Sequence, residues 1–209
     1  MTESSPSPAA KPSNWNLPNA LTTLRILMVP FFAWALLTQG GTSVLWRIVA
    51  WAVFAAAMVT DKVDGDIARS RDLVTDFGKI ADPIADKALT GMAFVGLSVI
   101  GELWWWVTAL VLLREWGITL LRLWVIRYGV IAAGSGGKLK TVLQTGALGL
   151  FILPLRLLPG LWGDVGQVIW WFAAVMMGAA VVVTVVTGGD YVLKALAVRR
   201  EGRAQVHAG

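Results

Sequence analysis

The sequence predicts an all-α integral membrane protein with six transmembrane helices. Three observations carry this reading. Of the 209 residues, 56% are hydrophobic and only 15% are charged, which is more apolar than an ordinary soluble domain of this length requires. The apolar residues gather into six stretches, near 20–38, 44–60, 84–101, 104–126, 141–159 and 165–187, each close to the roughly twenty residues that a spanning helix needs. Sixteen of the eighteen Lys and Arg residues fall in the N-terminal segment, the 61–87 region, the 114–140 region and the tail beyond 188, leaving Arg47 and Arg156 on the opposite side beside Glu102 and Asp164. By the positive-inside rule the basic side is cytoplasmic. Six spans then place both termini there.

Taken in order, residues 1–14 are rich in Ser and Pro and predict a disordered tail without the apolar core or cleavage pattern of a signal peptide. The first span contains Pro30, which predicts a kink. Asn19, Thr22 and Arg25 open that helix, either as capping and packing groups or close to a headgroup. The second stretch is short by itself, so its helix is expected to continue through Asp61 to about Arg69 and project from the membrane. The third is expected to begin near Gly78, outside the apolar core. Trp104, Trp105, Trp106, Trp170 and Trp171 sit where aromatic belts anchor helices at the interface. Gly134-Ser135-Gly136-Gly137-Lys138 lacks the spacing of a phosphate loop, since Leu139 follows the Lys, and reads as a flexible cytoplasmic connection. Gly188-Gly189 is expected to end the sixth span. Tyr191 to Arg203 then forms either a short interfacial helix or a solvated basic tail. The domain reading is a tail at 1–14, a transmembrane catalytic unit at 15–190 and a basic cytoplasmic tail at 191–209.

The chemistry lies between the second and third spans. Seven of the thirteen acidic residues fall between Asp61 and Asp86. A carboxylate near the bilayer core costs about 2.5–3.5 kcal/mol on insertion scales, so a group of them calls for compensating positive charge. Asp61 and Asp64 are three residues apart and share one helix face; Asp82 and Asp86 are four apart and share another. Two such helices side by side would direct all four carboxylates into one gap. Gly65 and Gly78 allow close approach there. Hard oxygen ligands suit Mg²⁺ or Mn²⁺, and a pair of such ions works on phosphate groups. From the residues alone the reading is metal-dependent phosphoryl-type transfer at a membrane surface.

Other classes are excluded by composition. There is no cysteine, and the one histidine, His207, lies in the polar tail, so thiolate sites, His-ligated zinc and His-based catalysis have no residues to use. The net charge of +5 fits anionic lipid or phosphorylated substrates. Nucleic acid is not a predicted partner, because the basic residues punctuate spans and form no continuous patch.

The acidic run reads Asp61-x2-Asp64-Gly65-x2-Ala68-Arg69-x8-Gly78-x3-Asp82-x3-Asp86. It resembles, position for position, the signature of the CDP-alcohol phosphatidyltransferases. The resemblance implies six transmembrane helices in a homodimer with a cytoplasmic active site, where an alcohol attacks the β-phosphorus of a CDP-linked lipid and CMP leaves. A second layer is similar to one branch, the phosphatidylglycerophosphate synthases. It comprises the segment from Asn16 to Arg25, Asp82-Pro83-Ile84-Ala85-Asp86-Lys87, Arg114-Glu115 with Arg122, and Gly137-Lys138-Leu139-Lys140-Thr141. That layer implies CDP-diacylglycerol and sn-glycerol 3-phosphate as substrates in the plasma membrane. The resemblance spans roughly residues 16–190.

Roles follow from that likeness. Asp61, Asp64 and Asp82 are expected metal ligands, with Asp86 shared between metal contact and general base. Asp61, Gly65, Ala68 and Arg69 are implied at the cytidine nucleotide; Arg69 could instead be a snorkelling charge. Asp66 is a further candidate at the metal site, while Asp72 and Asp76 read as a solvated connection. Arg114, Arg122, Lys138 and Lys140 are candidates for the acceptor's phosphate. The competing readings are that Arg114 pairs with Glu115 and that the two Lys set topology. A different acceptor, such as inositol phosphate or phosphatidylglycerol, keeps the family and changes the branch. A cation-coupled transporter is the reading from another class.

Overall fold

The computed structural model describes residues 17–70, 75–125 and 136–207. Among these the chain is helical throughout, with no strand. Six α-helices follow one another: α1 (Leu17–Leu37), α2 (Val44–Ser70), α3 (Asp76–Val99), α4 (Trp105–Val125), α5 (Gly136–Ile152) and α6 (Leu161–His207). Short 3-10 turns lie at Thr38–Gly41 and Leu155–Leu157. Helix α1 packs on α2 and α3, α4 on α3 and α6, and α5 on α6, α2 and α3.

Side-chain size decides how these helices meet. The core is built from large residues set against small ones: Phe32 and Leu36 with Ala35, Phe54 with Ala57, Phe94 and Leu97 with Ala93, and Phe151 with Ala147. Alanines at these positions let helix axes approach closely, as membrane helices require. The outer surface is the reverse of a soluble protein's. Leu27, Trp34, Trp51, Leu113, Trp116 and Val175 are all exposed, an apolar exterior suited to lipid. Three stretches among the described residues are long and apolar enough to cross a membrane: Asn19–Gly41, Val44–Asp61 and Leu161–Ala197. Helices α3, α4 and α5 also carry charged residues discussed below.

The helix boundaries confirm some expectations and revise two. Helix α2 does continue past Asp61, to Ser70, and α3 begins at Asp76, two residues before Gly78. The fifth apolar stretch, expected to run to 159, stops as a helix at Ile152. Pro154 explains this, since it has no N–H to donate and its ring disfavours helix in the residue before it. The sixth helix, expected to end at Gly188-Gly189, runs unbroken to His207. Two glycines cost about 1 kcal/mol each against alanine, and the Val and Thr residues at 181–187 before them are weak helix formers too, so packing rather than propensity carries the helix through. The reason for Gly188 is packing against Arg114, described below. Residues 1–16 and the connection 126–135 lie outside the described residues, as do the side chains beyond 197.

One end of the bundle is closed by a buried arginine. Arg47 of α2 is 2% exposed. Its Nε donates to the carbonyl of Ile152 at 2.8 Å and one Nη to that of Phe151 at 2.5 Å, while the other Nη reaches Gly41 O and Glu102 at 3.3 Å. The orphan carbonyls at the end of α5 are thereby satisfied by a side chain from another helix. Glu102 also receives Arg156 at 2.9 Å, and Arg156 stacks over Trp170. The adjacent Gly41 has φ +77°, and a Cβ there would lie 2.8 Å from Ile100, so only glycine makes this turn. Arg47→Leu removes the charge but leaves those carbonyls and Glu102 buried. A loss of about 3 kcal/mol or more is expected, read as a clear fall in thermal stability in detergent, with activity per folded molecule retained.

Candidate active site

At the other end of the bundle α1 presents a polar face. Asn19, Thr22 and Arg25 recur every third residue, and all three side chains are buried in an otherwise apolar helix. Each reaches a different partner near the acidic run. Asn19 exchanges hydrogen bonds with Thr75, which precedes α3. Thr22 donates to Oδ1 of Asp82 at 2.5 Å. Arg25 donates to Oδ1 of Asp61 at 2.6 Å, with the guanidinium buried and the Asp61 side chain 43% exposed. One face of α1 therefore holds aspartates from α2 and α3 together. Sequence reading left these three residues between capping and headgroup contact. Their three-residue spacing in an apolar helix was the available signal for a shared polar face.

Asp86 lies one turn beyond Asp82 on α3. It is half-buried and within electrostatic reach of Asp61, Arg25, Glu115 and Lys140. It lines a cavity of about 90 Å³ together with Lys87, Thr90, Glu115, Lys140 and Gln144. That volume has room for roughly three waters at about 30 Å³ each. Lys87 reaches the hydroxyl of Thr119 and lies over the ring of Trp116. Pro83 stands between Asp82 and Asp86 within α3 and removes one helical hydrogen bond there.

Glu115 and Lys140 line this cavity, and Arg114 stands beside Glu115, on the lining of a neighbouring, mostly apolar groove with Thr184 and Gly188. Arg114 of α4 donates through Nη1 to Glu115 at 3.0 Å and through Nη2 to Thr187 of α6 at 3.0 Å. Lys140 of α5 reaches the same Glu115 oxygen, Oε1. The Nε of Arg114 is buried without a hydrogen-bond partner. Gly188 packs against this side chain, and a Cβ there would lie 3.3 Å from Cγ of Arg114. Gln144 and Thr184 join α5 to α6 just below. The pairing of Arg114 with Glu115, which the sequence offered as the alternative to a phosphate site, is thus present, and Lys140 joins it. The roles of Thr187 and Gly188 had no signal in the sequence, because they depend on how α6 crosses α4.

The predicted residues therefore divide. Asp61, Asp82, Asp86, Arg114 and Lys140 are brought to one end of the bundle. The side chains of Asp64, Gly65, Asp66, Ala68, Arg69, Asp76, Gly78, Arg122 and Lys138 lie outside the described residues, as does Asp72. The donor set suits a hard divalent cation: carboxylate oxygens from two helices, and the like charges of Asp61 and Asp86 near one another. Among the described residues no three acidic or His side chains are close enough to hold an ion by themselves, and Asp64 is not among those residues. Arg25 supplies the positive charge at Asp61.

Comparison with known proteins places this arrangement. Residues 15–186 match the family model for CDP-alcohol phosphatidyltransferase. A protein of Mycobacterium tuberculosis strain H37Rv, named as a probable phosphatidylglycerophosphate synthase, is 52% identical over 181 residues, covering 87% of this chain and 82% of the relative. The CDP-diacylglycerol–glycerol-3-phosphate 3-phosphatidyltransferase of Bacillus subtilis is 37% identical over 164 residues, covering 72% of this chain and 85% of its own. The enzyme of that name from Escherichia coli K12 is 36% identical over 148 residues, 64% of this chain and 75% of its own. With the acidic signature gathered at one end of a helical bundle and the family model matched over most of its length, the chain belongs to the CDP-alcohol phosphatidyltransferases.

Proposed function

We propose that this enzyme transfers the phosphatidyl group of CDP-diacylglycerol to sn-glycerol 3-phosphate, giving phosphatidylglycerophosphate and CMP. The observation that carries the reading is a cavity lined by Asp86 and Lys140, with Asp61 within electrostatic reach of Asp86 and with Arg114 paired to Glu115, which also lines it. Such a site can receive two anionic substrates at once, one through bridging cations and one through guanidinium and ammonium groups. The relatives' names, which specify both substrates, support the same choice.

Asp61, Asp64, Asp82 and Asp86 would hold Mg²⁺ or Mn²⁺, and two ions match the charge of a diphosphate. When bound, the ions neutralise the diphosphate and polarise the phosphorus under attack. Asp86 accepts the proton of the attacking hydroxyl, and its place on the cavity wall positions it for that task. Thr22 and Arg25 orient Asp82 and Asp61 from α1. Arg69 contacts the cytidine nucleotide, with Gly65 and Ala68 leaving it room. Arg114 and Lys140, joined by Arg122 and Lys138, hold the acceptor phosphate. The phosphoanhydride bond between the lipid phosphorus and CMP breaks as the bond to the acceptor oxygen forms, and the phosphate of glycerol 3-phosphate stays on the product.

In this reading all six helices cross the plasma membrane, with both termini and the active site cytoplasmic, and the enzyme is a homodimer. The Lys and Arg distribution supports the orientation. The transporter reading loses its support, since the carboxylates meet at one end of the bundle beside a phosphate-type cation pair.

Asp61→Asn is expected to abolish CMP release dependent on Mg²⁺ or Mn²⁺ in protein that still elutes as a folded species; full retained activity refutes the metal role. A panel of acceptors with labelled CDP-diacylglycerol is expected to give lipid product with glycerol 3-phosphate. Product with inositol phosphate alone refutes the branch assignment. Gly188→Val is expected to push Arg114 off its Glu115 and Thr187 contacts. The KM for glycerol 3-phosphate should rise severalfold, while the KM for CDP-diacylglycerol holds.

A further inference from the structure

Among the described residues Glu115 is the carboxylate that Arg114 and Lys140 share at the cavity, and the transfer reaction assigns it no role. Its Oε1 accepts from Nη1 of Arg114 at 3.0 Å and also from Nζ of Lys140. A single oxygen thus sits between the two cations assigned to the acceptor's phosphate, in the position a phosphate oxygen would take. Arg114 and Lys140 come from different helices, α4 and α5. The cavity lies among α3, α4 and α5, and Glu115 is on its lining. Arg114 is held from behind by Thr187 and Gly188. Arg114 is therefore placed by more than Glu115, and it keeps that support when the carboxylate lets go.

We propose that Glu115 is a specificity-determining residue of the acceptor site, an internal anion that occupies the phosphate position when no acceptor is bound and must be displaced by it. The proposal rests on the acceptor reading above. Its logic is a competition of charge. A phosphate monoester brings about −1.5 to −2 charges and three acceptor oxygens at pH 7, against one charge and two oxygens for a carboxylate. Phosphate therefore displaces Glu115 and a neutral polyol does not. A neutral alcohol such as glycerol meets a site already closed on itself. The same exchange helps the reaction finish. The product keeps the phosphate of the acceptor, and Glu115 is the local anion that competes for Arg114 and Lys140 as that product departs.

The consequence is a distinctive split in kinetics. Removing a residue that merely positions Arg114 weakens acceptor binding. Removing an internal competitor strengthens it. For Glu115→Gln, with purified enzyme in detergent micelles containing CDP-diacylglycerol and Mg²⁺ or Mn²⁺, the KM for glycerol 3-phosphate should fall. The inhibition constant of inorganic phosphate should fall with it, by about tenfold each. The kcat should fall as well, because the phosphorylated product now leaves more slowly. An inhibition constant that is unchanged or raised overturns the proposal. Glu115→Asp retains the charge but is shorter by one methylene, so it cannot reach both cations as well. It should give an intermediate inhibition constant, and it decides the matter if the Gln variant does not fold; an Asp variant indistinguishable from wild type also overturns the proposal. A wild-type enzyme that releases no CMP with glycerol 3-phosphate refutes the acceptor reading first and takes this proposal with it. Failure of the Glu115 variants alone, in a wild-type background that uses glycerol 3-phosphate, refutes only the role of Glu115.

Discussion

Everything at the reactive end depends on how negative charge is tolerated inside an apolar bundle. Isolated carboxylates in low dielectric are costly, and like charges close together are worse. Helix α1 answers this with a single face. Arg25 neutralises Asp61, and Thr22 donates to Asp82, so α2 and α3 can bring their acidic residues together without metal or substrate. Remove that face and the two acidic helices repel. Because Arg25 is buried at 1% exposure while Asp61 is 43% exposed, the guanidinium is fixed and the carboxylate keeps a side open to incoming cations.

The two polar ends of the molecule solve different problems with similar residues. Arg47 is surrounded by carbonyls and one carboxylate, all of which accept from it. That arrangement is saturated, and its role is to fasten α2, α5 and the α3–α4 turn. Arg114 is only partly satisfied: two nitrogens are engaged and Nε is not. Asp86 has like charges at Asp61 and Glu115 among its neighbours. Unbalanced groups around a cavity are what a binding site for charged substrates needs.

How much of this was legible in the sequence differs by feature. The aspartate spacing could be read directly, because helical periodicity fixes which residues share a face. The continuation of α2 beyond Asp61 followed from the same logic. What could not be read was anything set by the crossing of helices distant in the chain. Arg25 meets Asp61 across 36 positions, and Arg114 meets Thr187 across 73. Gly188-Gly189 was misjudged for the same reason. A pair of glycines looks like a helix terminus until the opposing arginine stem is seen to lie against one of them. Pro154 was the converse case, since a local rule, given too little weight beside a long apolar run, decided where α5 ends.

The continuity of α6 has a mechanical consequence. Its 47 residues form a rod of about 70 Å at 1.5 Å per residue, more than twice the thickness of a hydrocarbon core of roughly 30 Å. Thr187 and Gly188, which seat Arg114, lie partway along it with no hinge on either side. Tilting the distal half against headgroups would therefore swing the seat of that guanidinium.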